Sequence, residues 1–242
     1  MRVAIIGNTG HIPIVLSSIA SKEELTLVGV APGSDVDSRE KLQNIAEEYD
    51  APLYEAYETM LDEVQPDVAG IATRYDLNGS VSLKCLERGI HCMTEKAVAH
   101  DFDTLDRIEA AARANKSVII GMHAFRYNPA LWATYKAVQE GLIGKPRLIS
   151  GQKSYKFGKA RPDFYRDRAF YGGTLLWVAS HAIDWTYWLM GDFATLYASH
   201  SSADNFGCGD CESHAVMSFT CKNGGMGSIT ADFYQPTASR SH

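Results

Sequence analysis

The chain has 242 residues, of which 45% are hydrophobic and 21% are charged, a balance typical of a globular protein with a sizeable core. Its net charge of −6 argues against nucleic acid or an anionic membrane surface as a partner. Since no apolar run approaches the ~18 residues that span a bilayer and the N-terminus does not resemble a signal peptide, we expect a cytoplasmic protein.

Short apolar runs alternate with helical patterns along the first half of the chain. Strands are predicted at 2–6, 25–30, 67–72, 91–93 and 117–121. Helices are predicted between them at 38–49, 57–64, 77–89 and 101–116. This alternation predicts an α/β fold with a doubly wound parallel sheet, which we assign to a first domain at 1–121.

The first predicted strand runs into the sequence GNTGHIP and then a helix. A dinucleotide-binding fold needs glycines here, because the backbone must approach a pyrophosphate at the helix N-terminus. Gly7 and Gly10 meet this need, although Thr9 and Ile12 break the standard Gly-x-Gly-x-x-Gly spacing. We expect the cofactor to contact Gly7, Asn8, Thr9, Gly10 and His11.

The second predicted strand lacks the acidic residue that usually binds the adenine ribose. Ala31 is followed by Pro-Gly-Ser, so that Ser34 and Arg39 are candidates to receive the 2′-phosphate of NADP. The carboxylates of Asp35 and Asp37 would repel this phosphate. Between NAD and NADP we favour NADP.

Glu95 and Lys96 follow the strand predicted at 91–93. The carboxyl end of a parallel strand faces the ligand crevice, where a lysine can bind a substrate hydroxyl or the cofactor ribose. The alternative is a solvated Glu-Lys pair in a loop.

After residue 121 the pattern changes. Asn128 and Pro129 predict the N-cap and first position of a helix that ends at Gly141. Longer alternating segments follow at 146–157, 194–201, 213–221 and 225–234, with an Asn-Gly turn before the last. Residues 122–242 therefore predict an α+β domain with an open, mostly antiparallel sheet.

Residues 172–192 of this second domain predict a single helix, GGTLLWVASHAIDWTYWLMGD. Helical spacing places Trp177, His181, Asp184 and Trp188 on one face. Such a face is either catalytic, with an acid–base pair, or a core face that holds a satisfied histidine.

Four segments, taken together in their order and spacing, resemble the Gfo/Idh/MocA family of nicotinamide-dependent sugar and cyclitol oxidoreductases. They are TEK at 94–96, AFRYNPAL at 124–131, GLIGKP at 141–146 and GGTLLWVASHAID at 172–184. The resemblance implies a Rossmann domain followed by an open sheet that often serves as a subunit interface, and hence a homo-oligomer. It also implies hydride transfer between NAD or NADP and a sugar-like alcohol or carbonyl.

The resemblance also assigns roles to individual residues. It maps the family's lysine to Lys96 and its catalytic histidine to His181, which Asp184 would orient. Substrate binding falls to Arg126, Trp177 and His181. The remaining cofactor contacts are expected from Ala31, Ser34, Arg39, Thr73, Asn78, Glu95 and Lys96.

The chain departs from the family at several of these positions. Ala97 replaces the signature proline, Arg74 and Asn78 replace a proline and a histidine, and Trp177 replaces an aspartate that works with the histidine. Two alternatives therefore stay open: a catalytically impaired NAD(P)-binding sensor, and a lyase or hydrolase that uses NAD transiently. The family also usually continues beyond the last segment of this chain, so the chain is either truncated or short of the final elements.

Two further patterns in the second half carry weaker alternatives. Five cysteines predict free thiols. Cys208, Cys211, His214 and Cys221 have zinc-like spacing, but strand alternation puts Cys211 and His214 on opposite faces, so we expect no metal. The basic and aromatic loop at 153–170 either recognises a substrate anion or forms a solvated cover over a core edge.

Overall fold

The computed structural model describes residues 1–157, 161–203, 207 and 209–235. The chain divides into two compact units, Met1–Met122 and His123–His242. Each unit has a sheet of its own. No helix in the described ranges is both long enough and apolar enough to cross a membrane.

The first unit contains a five-stranded sheet in the order β2-β1-β3-β4-β5, with every neighbouring pair parallel. Its strands are β1 (Arg2–Ile6), β2 (Thr26–Ala31), β3 (Val68–Ile71), β4 (His91–Thr94) and β5 (Ile119–Gly121). Its helices are α1 (Ile12–Ser21), α2 (Arg39–Glu48), α3 (Tyr57–Val64), α4 (Asn78–Leu86) and α5 (Phe102–Asn115), with a 3₁₀ turn at Tyr75–Leu77. The predicted doubly wound parallel sheet is confirmed.

Strand β1 lies inside this sheet and is buried on both faces. Val3 and Ile5 belong to one apolar cluster, and Ala4 and Ile6 belong to the other. Burial on both faces explains why the strand is a continuous apolar run rather than an alternating one. The strand order reverses between β1 and β3, and ligands of open α/β sheets bind at the carboxyl ends of the strands at such a switch point.

The second unit contains a four-stranded sheet in the order β6-β9-β8-β7. Its strands are β6 (Leu148–Ser154), β7 (Phe193–Ser201), β8 (His214–Cys221) and β9 (Met226–Asp232). Only the β6–β9 pair is parallel, so the prediction of a mostly antiparallel sheet is confirmed. Its helices are α6 (Pro129–Gln139), α7 (Arg168–Tyr171), α8 (Thr174–Trp177) and α9 (Ala179–Met190), with 3₁₀ turns at Ala124–Tyr127 and Asp163–Arg166.

The prediction of one helix over 172–192 is wrong. Gly172 and Gly173 have φ values of +77° and +109°, so the helix predicted from 172 begins only at Thr174. At Val178 the helix is interrupted, and the Ser180 hydroxyl donates to the Trp177 carbonyl at 2.9 Å. A side-chain donor of this kind competes with the regular backbone hydrogen bonds of a helix. Trp177 therefore ends α8, whereas His181, Asp184 and Trp188 share α9.

One face of the second sheet carries large apolar side chains that are exposed. They are Leu148, Tyr197, Val216 and Met226, one from each of the four strands. An exposed apolar patch of this kind on a sheet marks an interaction surface more often than a solvent-facing one.

Candidate cofactor and catalytic sites

The loop between β1 and α1 has a backbone that only glycine fits at two positions. Gly7 has a φ of +80°, and a Cβ there would lie 2.4 Å from the Ala72 carbonyl oxygen. Gly10 has a φ of +63°, and a Cβ there would lie 2.0 Å from Glu95 Oε2. Both glycines are thus required for close approach of the loop to the ends of β3 and β4.

The residues of this loop are held by the segments that follow β2 and β3. The Gly7 amide donates to the Ala31 carbonyl, and the Thr9 amide donates to the Ala72 carbonyl, each at 2.9 Å. The Thr9 hydroxyl donates to the Thr73 carbonyl at 2.6 Å. The Asn8 side chain donates to the Ser38 carbonyl at 2.6 Å and accepts from the Ser38 amide at 3.1 Å.

Glu95 follows β4 and is fully buried, and its carboxylate lies at the N-terminus of α1. Its carboxylate accepts from the His11 amide at 2.7 Å, contacts His11 Nδ1 at 2.7 Å, and accepts from the Lys96 amide at 2.9 Å. A carboxylate at the positive end of a helix dipole is electrostatically favoured. Of the two alternatives for Glu95, a solvated pair is therefore excluded, and its carboxylate positions the loop.

Lys96 is buried at the carboxyl end of β4, with only 6% of its surface exposed. The Lys96–Ala97 peptide bond is cis. The structure thus places Lys96 at the same edge of the sheet as the glycine loop.

Asp37 places a carboxylate beside the segment that follows β2. It folds back onto the segment that follows the strand, where its Oδ2 accepts from the Gly33 amide at 2.9 Å and the Ser34 amide at 2.8 Å. The hydroxyls of Ser34 and Thr73 contact the same oxygen at 3.1 and 2.8 Å. Ser34 thus lies beside a negative charge, which disfavours the phosphate that the sequence assigned to it.

Arg39 is not directed toward this edge. Its guanidinium forms an exposed bidentate ion pair with Glu55, with one contact at 2.5 Å. The ion pair raises the pKa of Arg39 above its ordinary value and lowers that of Glu55. The guanidinium beside the segment that follows β2 belongs to Arg74, which binds Asp76 at 2.8 Å and Asp35, the neighbour of Ser34, at 3.0 Å.

Asn78 is buried at the start of α4 and carries an unused donor. Its Oδ1 accepts from the Thr73 amide at 3.1 Å, whereas its buried Nδ2 has no hydrogen-bond partner in the part of the chain that the structure describes. Orphaned buried donors are rare in proteins and are often satisfied by a ligand. This atom and the two glycine-only positions fit a bound dinucleotide at this edge.

In the second unit, His181 lies on α9 and is 2% exposed. Its ring makes edge contacts with Phe125, at 4.9 Å between centroids, and with His123, at 5.9 Å. His123 immediately precedes the 3₁₀ turn at Ala124–Tyr127, and Phe125 lies within that turn. His181 therefore packs onto residues 123–125.

Asp184 and Arg126 bind each other. The Nε and Nη2 atoms of Arg126 donate to the two carboxylate oxygens of Asp184 at 2.8 and 2.6 Å. The pKa of Arg126 is raised, mainly by this hydrogen bond. Bidentate pairing occupies the planar edge of a guanidinium that would otherwise recognise an anion. The described contacts of Asp184 thus go to Arg126 rather than to His181, and they engage the Nε and Nη2 atoms of Arg126.

Trp177 is 3% exposed and stacks on Tyr171, with ring centroids 6.3 Å apart and planes 21° apart. Its indole thus fills core volume, which leaves little of the ring for a substrate. The sequence predicted Trp177 as a substrate contact and did not predict this packing.

Glu212 is a buried acidic residue beside the Gly-Gly turn, and the sequence did not single it out. It is 2% exposed and accepts from the Leu175 amide at 3.0 Å and from Arg168 Nη2 at 2.6 Å. Burial alone would raise the pKa of Glu212, but these hydrogen bonds and the Arg168 charge hold it below its ordinary value. A Cβ on Gly173 would lie 2.8 Å from Glu212 Oε1, so this carboxylate fixes the Gly-Gly turn that precedes α8.

The cysteine pattern gives no metal site among the residues described. Cys85, Cys92, Cys211 and Cys221 are free thiols, and no group of three or more His, Cys, Asp or Glu side chains within the described ranges could hold a metal ion. Cys208 lies outside the described residues, as does 158–160 of the basic and aromatic loop.

Comparison with known proteins agrees with this architecture. Residues 1–123 match the oxidoreductase family with an NAD-binding Rossmann fold, and residues 132–241 match the GFO/IDH/MocA C-terminal domain. The chain belongs to the Gfo/Idh/MocA family. The resemblance drawn from the sequence is thereby confirmed.

Relatives within this family include a putative oxidoreductase from Thermotoga maritima, which is 36% identical with a TM-score of 0.92 over 100% of this chain and 75% of its own. The WlbA dehydrogenase from Bordetella pertussis, in complex with NADH and UDP-GlcNAcA, shares the fold at 20% identity, with a TM-score of 0.87 over 98% of this chain and 68% of its own. Levoglucosan dehydrogenase from Pseudarthrobacter phenanthrenivorans is 26% identical over 59% of this chain and 37% of its own length. The chain spans at most half the length of the curated relatives that it matches.

Proposed function

We propose that this chain carries the NAD-binding and substrate-binding parts of an oxidoreductase that exchanges a hydride with a sugar-like alcohol or carbonyl. The observation that carries the proposal is the glycine loop, where a Cβ at Gly7 or Gly10 would clash with Ala72 or Glu95. The orphaned donor of Asn78 adds to it. The names of two relatives support a sugar-like substrate, since one is a levoglucosan dehydrogenase and another is a complex with NADH and UDP-GlcNAcA.

The nicotinamide ring, when bound, accepts or supplies the hydride. This chain's residues would do the rest. The glycine loop and the N-terminus of α1 would hold the pyrophosphate. An imidazole nitrogen of His181 would take the alcohol proton as the hydride leaves, or return it in the reverse direction, because histidine changes its charge near neutral pH. Lys96 would assist by binding the substrate hydroxyl or the ribose.

We propose NAD rather than NADP as the cofactor, which revises the preference drawn from the sequence. Asp37 places a negative charge beside Ser34, and Arg39 is occupied by Glu55. Both contacts favour free ribose hydroxyls over a 2′-phosphate.

Binding of the two cofactors tests this proposal. We expect the parent to bind NADH at least ~10-fold more tightly than NADPH, and Asp37→Asn to reduce that ratio. Asp35→Asn is the matched control, because Asp35 is exposed and pairs with Arg74 at the surface. A cofactor present at 100 times its Kd adds about 2.7 kcal/mol to the free energy of unfolding. If neither cofactor raises Tm at such a concentration, the dinucleotide assignment is wrong.

We further propose that the exposed apolar face of the second sheet mediates self-association. Leu148, Tyr197, Val216 and Met226 form its apolar surface. A second copy of the same face would bury these side chains from water at a symmetric interface.

A further inference from the structure

A buried lysine on β6 is not used by the site described above. The strand alternates, with Leu148, Ser150 and Gln152 exposed and Gly151 and Lys153 buried. Lys153 is only 4% exposed, although an inward position on such a strand normally carries an apolar side chain. This break in the pattern requires an explanation.

The buried face of β6 packs against α9. A Cβ on Gly151 would lie 3.5 Å from Trp185 Nε1 and 3.6 Å from the Ala182 Cβ. Lys153 follows on the same face, and its Nζ lies 4.3 Å from the centroid of Phe125. Phe125 in turn contacts the His181 ring at 4.9 Å. One aromatic ring therefore separates the Lys153 ammonium from the proposed acid–base residue.

No carboxylate within the described ranges forms an ion pair with Lys153. Its ammonium lies over the rings of Phe125 and Tyr155, with the latter centroid at 4.8 Å. Aromatic faces attract a cation but do not replace the hydrogen bonds that it loses on leaving water. The resulting desolvation lowers the pKa of Lys153 below its ordinary value.

A second cation without a carboxylate partner among the described residues contacts the same tyrosine. The Arg161 guanidinium lies 5.8 Å from the centroid of Tyr155, and its buried Nε has no hydrogen-bond partner in the described part of the chain. Two cations with no carboxylate partner among the described residues therefore lie against this ring. Such a region attracts an anion, whose binding would satisfy the donors.

We infer that Lys153, flanked by Phe125 and Tyr155, binds an anionic group of the substrate, a carboxylate or a phosphate. The inference rests on the proposed function, because it concerns the substrate of the same oxidoreductase. It assigns the chain to acidic or phosphorylated sugars rather than to neutral polyols. The basic and aromatic segment at 153–170, predicted as a loop, then contributes to substrate recognition through Lys153, which lies in β6.

Direct calorimetric binding of three probes tests this inference without any turnover. The probes are glucose, glucuronate and glucose 6-phosphate, and the variants are Lys153→Met and Lys156→Met, an exposed lysine three residues away. We expect the parent to bind one of the two anionic sugars ~10- to 100-fold more tightly than glucose, as the loss of a charge-assisted hydrogen bond would predict. Lys153→Met should remove the preference, and Lys156→Met should keep it.

The two anionic probes also separate the sources of the charge. A preference for glucuronate identifies a carboxylate, and a preference for glucose 6-phosphate identifies a phosphate. Equal binding of all three sugars by the parent, or a preference that persists in Lys153→Met, would overturn the inference. If Lys153→Met fails to fold, Lys153→Gln provides the same comparison.

Failure of the inference and failure of the proposed function are distinguishable. Titration with NADH measures the cofactor site independently of the sugar probes. A chain that binds NADH without any preference for anionic sugars contradicts only the Lys153 assignment. One that shows the preference but does not bind NADH contradicts only the proposed oxidoreductase function.

Discussion

Replacing Glu212 with glutamine tests how the turn before α8 is held. The change removes the negative charge opposite Arg168 while it keeps the shape of the side chain and an oxygen that can accept from Leu175. Hydrogen bonds to charged groups contribute about 1.5–3 kcal/mol, and the 42% exposure of the Arg168 side chain reduces the effect toward the middle of that range. We expect Glu212→Gln to lower the free energy of unfolding by about 2 kcal/mol, or Tm by roughly 4–8 °C.

The pH dependence of Tm gives this prediction its sign. The folded-state pKa of Glu212 lies below its ordinary value of 4.5, so the stability it contributes is present above pH 4.5 and is lost as pH falls through the folded-state pKa. The Tm difference between the parent and Glu212→Gln should therefore narrow below pH 4.5. Glu109→Gln is the control, because its i,i+4 pair with Arg113 is exposed and should contribute less than ~0.5 kcal/mol. A Glu212→Gln variant as stable as the Glu109→Gln control would refute the reasoning.

Three further predictions concern the loop, the sheet face and the packed tryptophan. Gly10→Ala should weaken NADH binding at least ~10-fold in a fluorescence titration. Gly89→Ala is the control and should leave binding unchanged, because Gly89 has a similar φ of +78° but a Cβ there would meet no atom within 4 Å. Equal NADH affinities of the two variants would contradict the close approach of the loop. Tyr197→Lys should shift the chain toward a monomer in light scattering, and Phe102→Lys, an exposed change on the first unit, should leave association unchanged. Trp177→Asp should destabilise the fold by about 4 kcal/mol in thermal unfolding, because a carboxylate replaces a buried indole, and more than Trp132→Asp at a half-exposed position.

The parallel sheet was predictable because its inner strand β1 is buried on both faces. Burial of β1 on two sides leaves a continuous apolar run, and the glycines of the following loop mark the turn into α1. The N-cap of α6 was equally local, since the Asn128 Oδ1 accepts from the Ala130 amide at 3.0 Å.

The contacts that arrange the candidate sites are separated in sequence, and this limited the predictions there. Arg126 and Asp184 are 58 positions apart, so the local sequence around either residue did not reveal that they form an ion pair. The helix predicted at 172–192 fails for the same reason, because Glu212, 37 positions from Leu175, fixes the start of α8. Lys153 carried a local signal, its inward position on an alternating strand, that would have singled it out.

The central claim is that His181 moves a proton while a nicotinamide exchanges a hydride with a sugar-like substrate. Steady-state nicotinamide absorbance over a panel of polyols, aldoses and their acidic derivatives, for the parent and His181→Ala, tests it most directly. We expect His181→Ala to lower turnover by ~10²–10⁴-fold, as the loss of general acid–base catalysis would, while NADH affinity stays within a factor of about two. A parent that turns over a substrate with kinetics unchanged in His181→Ala would contradict the claim.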